Sequence, residues 1–271
     1  MIRAKKSLGQ NFLNQPLVIN TMVKSGNIAP ESIVVEVGPG KGALTKKILE
    51  EGGIVIALEK DPRLVEHLHE VFAAEIADGR LFVIEEDALT FHDTTSSAYT
   101  LMNKVTHHFS QPYTVIANIP YYITGALIRM FLGGPHKPSH MVLLMQKEVA
   151  DRIVKKDGKT SILSHAVELY CTPHFIKKVP PSAFSPSPKV DSAIIAFTHI
   201  REPDLSPIEQ DRFFELVKIG FHHKRKTLHK NLSVALPHTD IARVFELCNL
   251  SPQVRAEEID IHTWIELSRH L

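Results

Sequence analysis

The stretch SIVVEVGPGKGALTKKILEEGG, Ser32–Gly53, sets the fold class. Ile33–Val37 is short and mostly β-branched, as a strand buried on both faces should be. Gly38, Gly40 and Gly42 break it, and a helical pattern follows to the Gly52-Gly53 stop. A strand, a glycine loop and a helix in that order form the first half of a βαβ unit.

The same alternation runs outward from there. IVIALEKD is a second buried strand ending at Glu59, and Asp61 with Pro62 supplies a cap and first turn for the helix RLVEHLHEVF. LFVI is a third strand leading into Glu86-Asp87, TVIAN a fourth and HMVLLMQ a fifth, with the helical GALIRMFLGG between the last two. Strands alternating with helices predict a mostly parallel sheet with ligands at the carboxyl ends of its strands. FIKKV and SAIIAF follow without a helix between them and are expected to pair antiparallel, giving a mixed edge. Helices are expected at KEVADRIV and SILSHAVELYC. In NQPLVINTMVKSG, Asn14 is the expected cap, Pro16 the first turn and Gly26 the stop. The polar segment DTTSSAYTLMNKVTHHFS reads as an excursion from the sheet.

After Thr198 the character changes. REPDLSPIEQ is a polar linker, and Ser206, Pro207 and Glu209 make a capping-box start. TDIARVFELCN and DIHTWIELSRHL read as further helices. The expected division is an α/β domain over 1–203 and a small all-helical domain over 204–271.

With 271 residues, 44% hydrophobic and 23% charged, the chain has the composition of a globular protein. A formal charge of +1 means that a nucleic acid would have to be held by local basic patches. Cys171 and Cys248 read as reduced thiols. The basic MIRAKKSLGQNFL is interrupted by Gly9, Gln10 and Asn11, which argues against a secretory signal. No run approaches the ~18 apolar residues a membrane span needs, so a soluble, cytoplasmic protein is expected, with the monomer as default. Sixteen histidines include pairs such as His107-His108 and His222-His223, yet none comes with cysteine or carboxylate at ligand spacing, and no metal is expected.

The glycine loop lets backbone approach a ligand at a helix N-terminus. Glu59 stands 21 residues after Gly38, where an acid can bind both hydroxyls of a ribose. Gly38-x-Gly40-x-x-Ala43 also satisfies a loose dinucleotide fingerprint, so these residues leave a nicotinamide cofactor and S-adenosylmethionine both open. Asp87 can accept an adenine's exocyclic amine or cap the turn that follows.

VIANIPYYIT, Val115–Thr124, adds a different chemistry. An adenine amine is a poor nucleophile because its lone pair is delocalised into the ring. Acceptors that hold both amine hydrogens favour a more pyramidal nitrogen. The side-chain oxygen of Asn118 and the carbonyl of Ile119 are two such acceptors, Pro120 stiffens the loop, and Tyr121 can stack on a base.

Together SLGQNFL, VVEVGPGKGALT, ALEKD, EDAL, NIPYYIT, LMQKEVADRI, FSPSPKVDSAI and RKTLHKNL resemble the ribosomal RNA adenine dimethyltransferase family, in its small-subunit, ribosome-maturation branch. The resemblance covers nearly the whole chain in order. It implies a Rossmann-like class I methyltransferase sheet, S-adenosylmethionine as methyl donor, and two adjacent adenosines near the 3′ end of small-subunit rRNA as target, in a small-subunit precursor. Carried over, Asn11 and Leu13 close over the cofactor, Gly38 approaches its methionine portion, Glu59 holds the ribose, Asp87 the adenine, and Asn118 faces cofactor and target. Phe184 matches an aromatic that sandwiches the flipped base with Tyr121, so Asn118, Tyr121 and Phe184 are the catalytic candidates. Extrusion of a base costs a few kcal/mol, and stacking returns about 1–3 kcal/mol per base.

Lys224, Arg225, Lys226 and Lys230 of FHHKRKTLHK match a basic stretch of the family and are candidate phosphate contacts, although such a run also fits a solvated helix face. Arg3, Lys5 and Lys6 are weaker candidates. Two departures stand out. Asp87 to Asn118 is a long gap of 31 residues, and His223-Lys224 stand where relatives often carry glutamine and arginine. Lysine is a point charge without arginine's fork. The alternative within the family is the large-subunit branch associated with antibiotic resistance. KVDS and RKTLHKNL favour maturation.

Overall fold

The strand Ile33–Val37 has all five residues buried, as expected of a strand covered by helices on both faces. In this computed structural model, residues 2–5 and 8–271 are described, and Lys6 lies outside them. Among the described residues the strands are β1 (Phe12–Leu13), β2 (Ile33–Val37), β3 (Ile54–Glu59), β4 (Leu81–Glu85), β5 (Tyr113–Asn118), β6 (His140–Gln146), β7 (Thr172–Val179), β8 (Phe184–Ser185) and β9 (Ser192–Thr198). Seven form one sheet in the order β4-β3-β2-β5-β6-β9-β7, while β1 pairs with β8 in a separate two-stranded sheet.

Pairing is parallel from β4 through β6 and antiparallel where β9 joins β6 and β7, so the predicted mixed edge is present. Strand order reverses between β2 and β5. The last residue of β2, Val37, lies beside Leu58 of β3 on one side and Ala117 of β5 on the other. The connections leaving the neighbouring strands β2 and β5 run to opposite sides, to β3 and β6, and open a crevice at the carboxyl ends, where this architecture binds ligands.

Two compact units are present, Met1–Ala150 with Thr172–Ile200, and Asp151–Cys171 with Arg201–Leu271. The division drawn from sequence near residue 203 left 151–171 with the sheet. Instead the helix Ile162–Tyr170 packs with Pro207–Gly220 and Ile261–His270, because its apolar residues meet those of the C-terminal helices. Trp264 and Leu267 are fully buried in this second unit. The start at Ser206 is a capping box, with Ser206 Oγ accepting from Glu209 N–H and the Glu209 carboxylate accepting from Ser206 N–H.

Asp61 caps the helix Pro62–Val71 as expected. Asn14 caps nothing. Gln15 holds the N-cap position of Pro16–Ser25 without a side-chain bond. The chain is still extended at Asn14, whose N–H donates to Ala183 O and prolongs the β1–β8 pairing. The polar excursion before β5 contains a helix, Ser97–Val105, capped by Ser96. Both cysteines are free and buried. Among the described residues no helix is long and apolar enough to cross a membrane, and no group of three or more His, Cys, Asp or Glu is placed to hold a metal ion.

Candidate active site

A cavity of about 610 Å³ opens at the carboxyl ends of β2, β3, β4 and β5. Each wall is set by where a strand stops. Gly38 follows β2 with φ +67°, a conformation that favours glycine. A Cβ there would meet only Asn118 O, at 4.0 Å, so the space a side chain would fill belongs to the cavity.

Glu59 ends β3 and is 6% exposed. Its Oε1 accepts from the N–H groups of Lys60 and Asp61, each at 2.9 Å, and Oε2 accepts from Gly40 N–H at 3.3 Å. These bonds fix the carboxylate beneath the glycine loop. Burial pushes its pKa up, and the three amides oppose that shift. A fixed carboxylate with remaining lone pairs can accept from two vicinal hydroxyls.

Asp87, just past β4, does what a cap does: Oδ1 accepts from Leu89 N–H at 3.1 Å. Its Oδ2 accepts from Lys60 Nζ at 2.7 Å. Burial raises the carboxyl, but the Lys60 ammonium and Leu89 amide outweigh it and hold the pKa below the ordinary value. Asp87 therefore faces the cavity already ionised, with acceptor capacity left on both oxygens.

Asn118 ends β5, and its Nδ2 donates to Asn11 O at 3.0 Å. A carbonyl can only accept, so the nitrogen faces Asn11 and the oxygen is left for another donor. Ile119 N–H donates to Leu144 O at 3.2 Å, tying the NIPY turn to β6. Tyr121 is half-buried, with its hydroxyl 2.8 Å from Ser192 Oγ at the start of β9. Leu13 and Phe184 face each other in the β1–β8 pair, and Phe184 is 4% exposed. Asn11, Leu13, Gly38, Glu59, Asp87, Asn118, Tyr121 and Phe184 all line this one cavity.

Comparison with known proteins bears on what such a cavity serves. The family described as ribosomal RNA adenine dimethylase matches residues 1–271. The chain is 37% identical over 268 residues to the ribosomal RNA small subunit methyltransferase A of Dehalococcoides mccartyi (strain CBDB1), covering 98% of this chain and 88% of that one. It is 33% identical to the protein of the same description from Nostoc sp. (strain PCC 7120 / SAG 25.82 / UTEX 2576), covering 100% and 99%. The chain belongs to the ribosomal RNA adenine dimethylase family. It is a methyltransferase. Among solved structures, a dimethyladenosine transferase from Plasmodium falciparum superposes with TM-score 0.72 at 25% identity, over 94% of this chain and 95% of that one. The 23S rRNA methyltransferase ErmE superposes with TM-score 0.72 at 24% identity, over 96% and 99%, and shares the fold.

In this dimethylase the cavity includes residues that spacing alone did not single out. Glu36, inside β2, is 1% exposed and accepts from Thr45 Oγ1 at 2.6 Å. Burial pushes its pKa up to about 8. A charged residue within a buried strand was the available signal. Phe12 lines the cavity, and Lys41 Nζ sits 4.9 Å from its ring centre. Gln10 and Lys5 both bond to the fully buried Asp61, which also takes two bonds from the Arg63 guanidinium. Arg63 and burial pull in opposite directions on that carboxyl, and with Gln10 and Lys5 added its pKa lies well below the usual carboxylate range.

The basic candidates lie in the helical unit. Lys224, Arg225 and Lys226 are exposed on the turns and bend of 221–226, not on a helix face, whereas Lys230 is exposed on the helix Leu228–Ala235. The turn is held from beneath by Asn231, whose Nδ2 donates to Gly220 O at 2.6 Å and His223 O at 3.3 Å.

Proposed function

We propose that the chain uses S-adenosylmethionine to dimethylate the exocyclic amines of two adjacent adenosines near the 3′ end of small-subunit rRNA, during maturation of the small subunit in the cytoplasm. The observation that carries the reading is the oxygen of Asn118 left facing the cavity by the bond from its amide to Asn11. Membership of the dimethylase family supports the reaction, and small-subunit relatives spanning nearly the whole chain support the substrate.

The cavity fits the donor. Asp87 is ionised toward an adenine amine, Glu59 is fixed for a ribose diol, and the missing side chain of Gly38 leaves room for an amino-acid portion. Asn11 and Leu13 cover the same space. When bound, S-adenosylmethionine supplies an electrophilic methyl group.

The remaining work falls to this chain's own groups. Asn118 Oδ1 and the Ile119 carbonyl take the two hydrogens of the target amine and turn its lone pair out of the ring plane. Tyr121 and Phe184 hold the base that has left its stack, which offsets part of the extrusion cost. The Ser192 hydroxyl fixes the Tyr121 ring. The displaced proton leaves to water. In the helical unit, Lys224, Arg225, Lys226 and Lys230 hold RNA phosphates.

The test is to incubate the protein with S-adenosylmethionine and unmethylated small subunits, digest the RNA and weigh its nucleosides. Dimethyladenosine at two neighbouring positions is expected. Methylation confined to large-subunit RNA would overturn the substrate assignment.

A further inference from the structure

Tyr122 stands apart from the chemistry assigned above. It is 66% exposed, the most exposed Phe, Tyr or Trp among the described residues, and it lines the same cavity as Tyr121. Consecutive residues of a 3₁₀ turn point about 120° apart, and Tyr121–Ile123 is such a turn. The two rings are therefore sent different ways. Tyr121 turns inward to Ser192, and Tyr122 turns outward to the rim.

Its setting is that of a platform rather than a stray apolar side chain. Gly9, at φ +61°, lies against the ring: a Cβ built there would sit 3.5 Å from both Cδ1 and Cε1 of Tyr122. One part of the ring is thus supported by a residue that adds no side chain to hide it. Lys60, 60% exposed, lies on the same rim; its ammonium gives one N–H to Asp87 at 2.7 Å and keeps two further donors. An exposed ring beside a cation is the arrangement that single-stranded nucleic acid uses, base on ring and phosphate on charge.

Base extrusion creates a ligand for such a platform. When one adenosine leaves its stack, each neighbouring base loses a partner on one face. We propose that Tyr122 forms a subsite for the nucleotide flanking the target adenosine, stacking on the base face that extrusion uncovers, with Lys60 beside the connecting phosphate. The subsite rests on the adenine-methylation reading and adds a second point of RNA recognition to it.

The test is a cycle between protein ring and RNA base. Wild type, Tyr122→Ala and Tyr122→Phe are assayed on RNA that is intact, or abasic at the nucleotide 5′ or 3′ of the target. Tyr122→Ala is expected to raise KM for intact RNA about tenfold, the effect of losing one stacked base, with kcat and cofactor Kd unchanged and with Tyr122→Phe restoring wild-type values. Removing the base on one side is expected to raise the wild-type KM comparably and to add nothing in Tyr122→Ala. Additive losses on both sides, or a Tyr122→Ala defect confined to cofactor binding, would overturn the subsite. A wild type that methylates no adenosine in intact RNA would instead overturn the reading beneath it, and the subsite with it.

Discussion

The side-chain amide of Asn118 and the backbone carbonyl of Asn11 meet at 3.0 Å across 107 residues of sequence. That bond orients the group proposed to hold the target amine, so Asn118→Ala removes an acceptor and the device that aims it. Its methylation rate is expected to fall about 10²–10³-fold, the usual effect of deleting one preorganised polar group. Single-turnover methylation at saturating cofactor measures this. Asn118→Ala with unchanged rate would remove the residue from the mechanism.

Glu36 gives a test of burial. Its pKa is pushed from 4.5 to about 8, so the folded protein holds a proton there at neutral pH while the unfolded chain does not. The contribution of Glu36 to stability is then greatest below 4.5 and declines as pH rises toward 8. Glu36→Gln keeps the oxygen facing Thr45 and cannot ionise. The variant is expected to gain stability over wild type by on the order of 1–3 kcal/mol at pH 8 and much less at pH 5. Urea unfolding at the two pH values reads the difference.

His165 predicts the opposite slope. It is fully buried in the helical unit between Phe221 and Trp264, and neither ring nitrogen has a hydrogen-bond partner. Burial, reinforced by Lys155, lowers its pKa to about 4. A histidine depressed in the fold supports stability above 6.5, and that support is lost as pH falls from 6.5 toward 4. Wild type is expected to lose about 1–2 kcal/mol between pH 7.5 and pH 5 that His165→Leu does not lose. Equal acid sensitivity in both proteins would place the titration elsewhere.

Alanine at Lys224, Arg225 and Lys226 together is expected to weaken RNA binding about tenfold or more at low salt and to reduce the slope of log affinity against log salt by about 2–3. Cofactor affinity should not change. Filter binding across a salt series checks both, and an unchanged slope would return these side chains to the solvated surface.

Much of this was readable in advance because period and punctuation agree. The strands are short apolar runs, and the glycines and Asp61-Pro62 stand where strand gives way to helix. Gly38, Glu59, Asp87 and Asn118 were legible because each stands at or just past the end of a strand, and the ends of parallel neighbours lie together, whereas Asn11, Leu13 and Phe184 came from the family resemblance alone. What escaped depends on partners distant in sequence. Whether Asn14 or Gln15 begins the first helix is decided by Ala183, which keeps Asn14 extended. The helix Ile162–Tyr170 lies between the sheet strands β6 and β7 in sequence, yet its apolar face matches helices that begin only at Pro207 and Ile261. The tie from Lys60 to Asp87 could not be read from spacing, because it forms between the ends of β3 and β4.

The pairing of β1 with β8 joins residues 12 and 13 to residues 185 and 184. A chain made from its N-terminus carries GQNFL from the beginning, but the strand that holds this segment in place is among the last parts of the first unit to be made. Until then the cavity lacks one wall, and a contact of such long range is slow to form. During synthesis, therefore, the glycine loop and its carboxylates are complete well before the enclosure around them. The enclosure of the cavity waits for residues 184 and 185, and the anchor of Tyr121 for Ser192 after them.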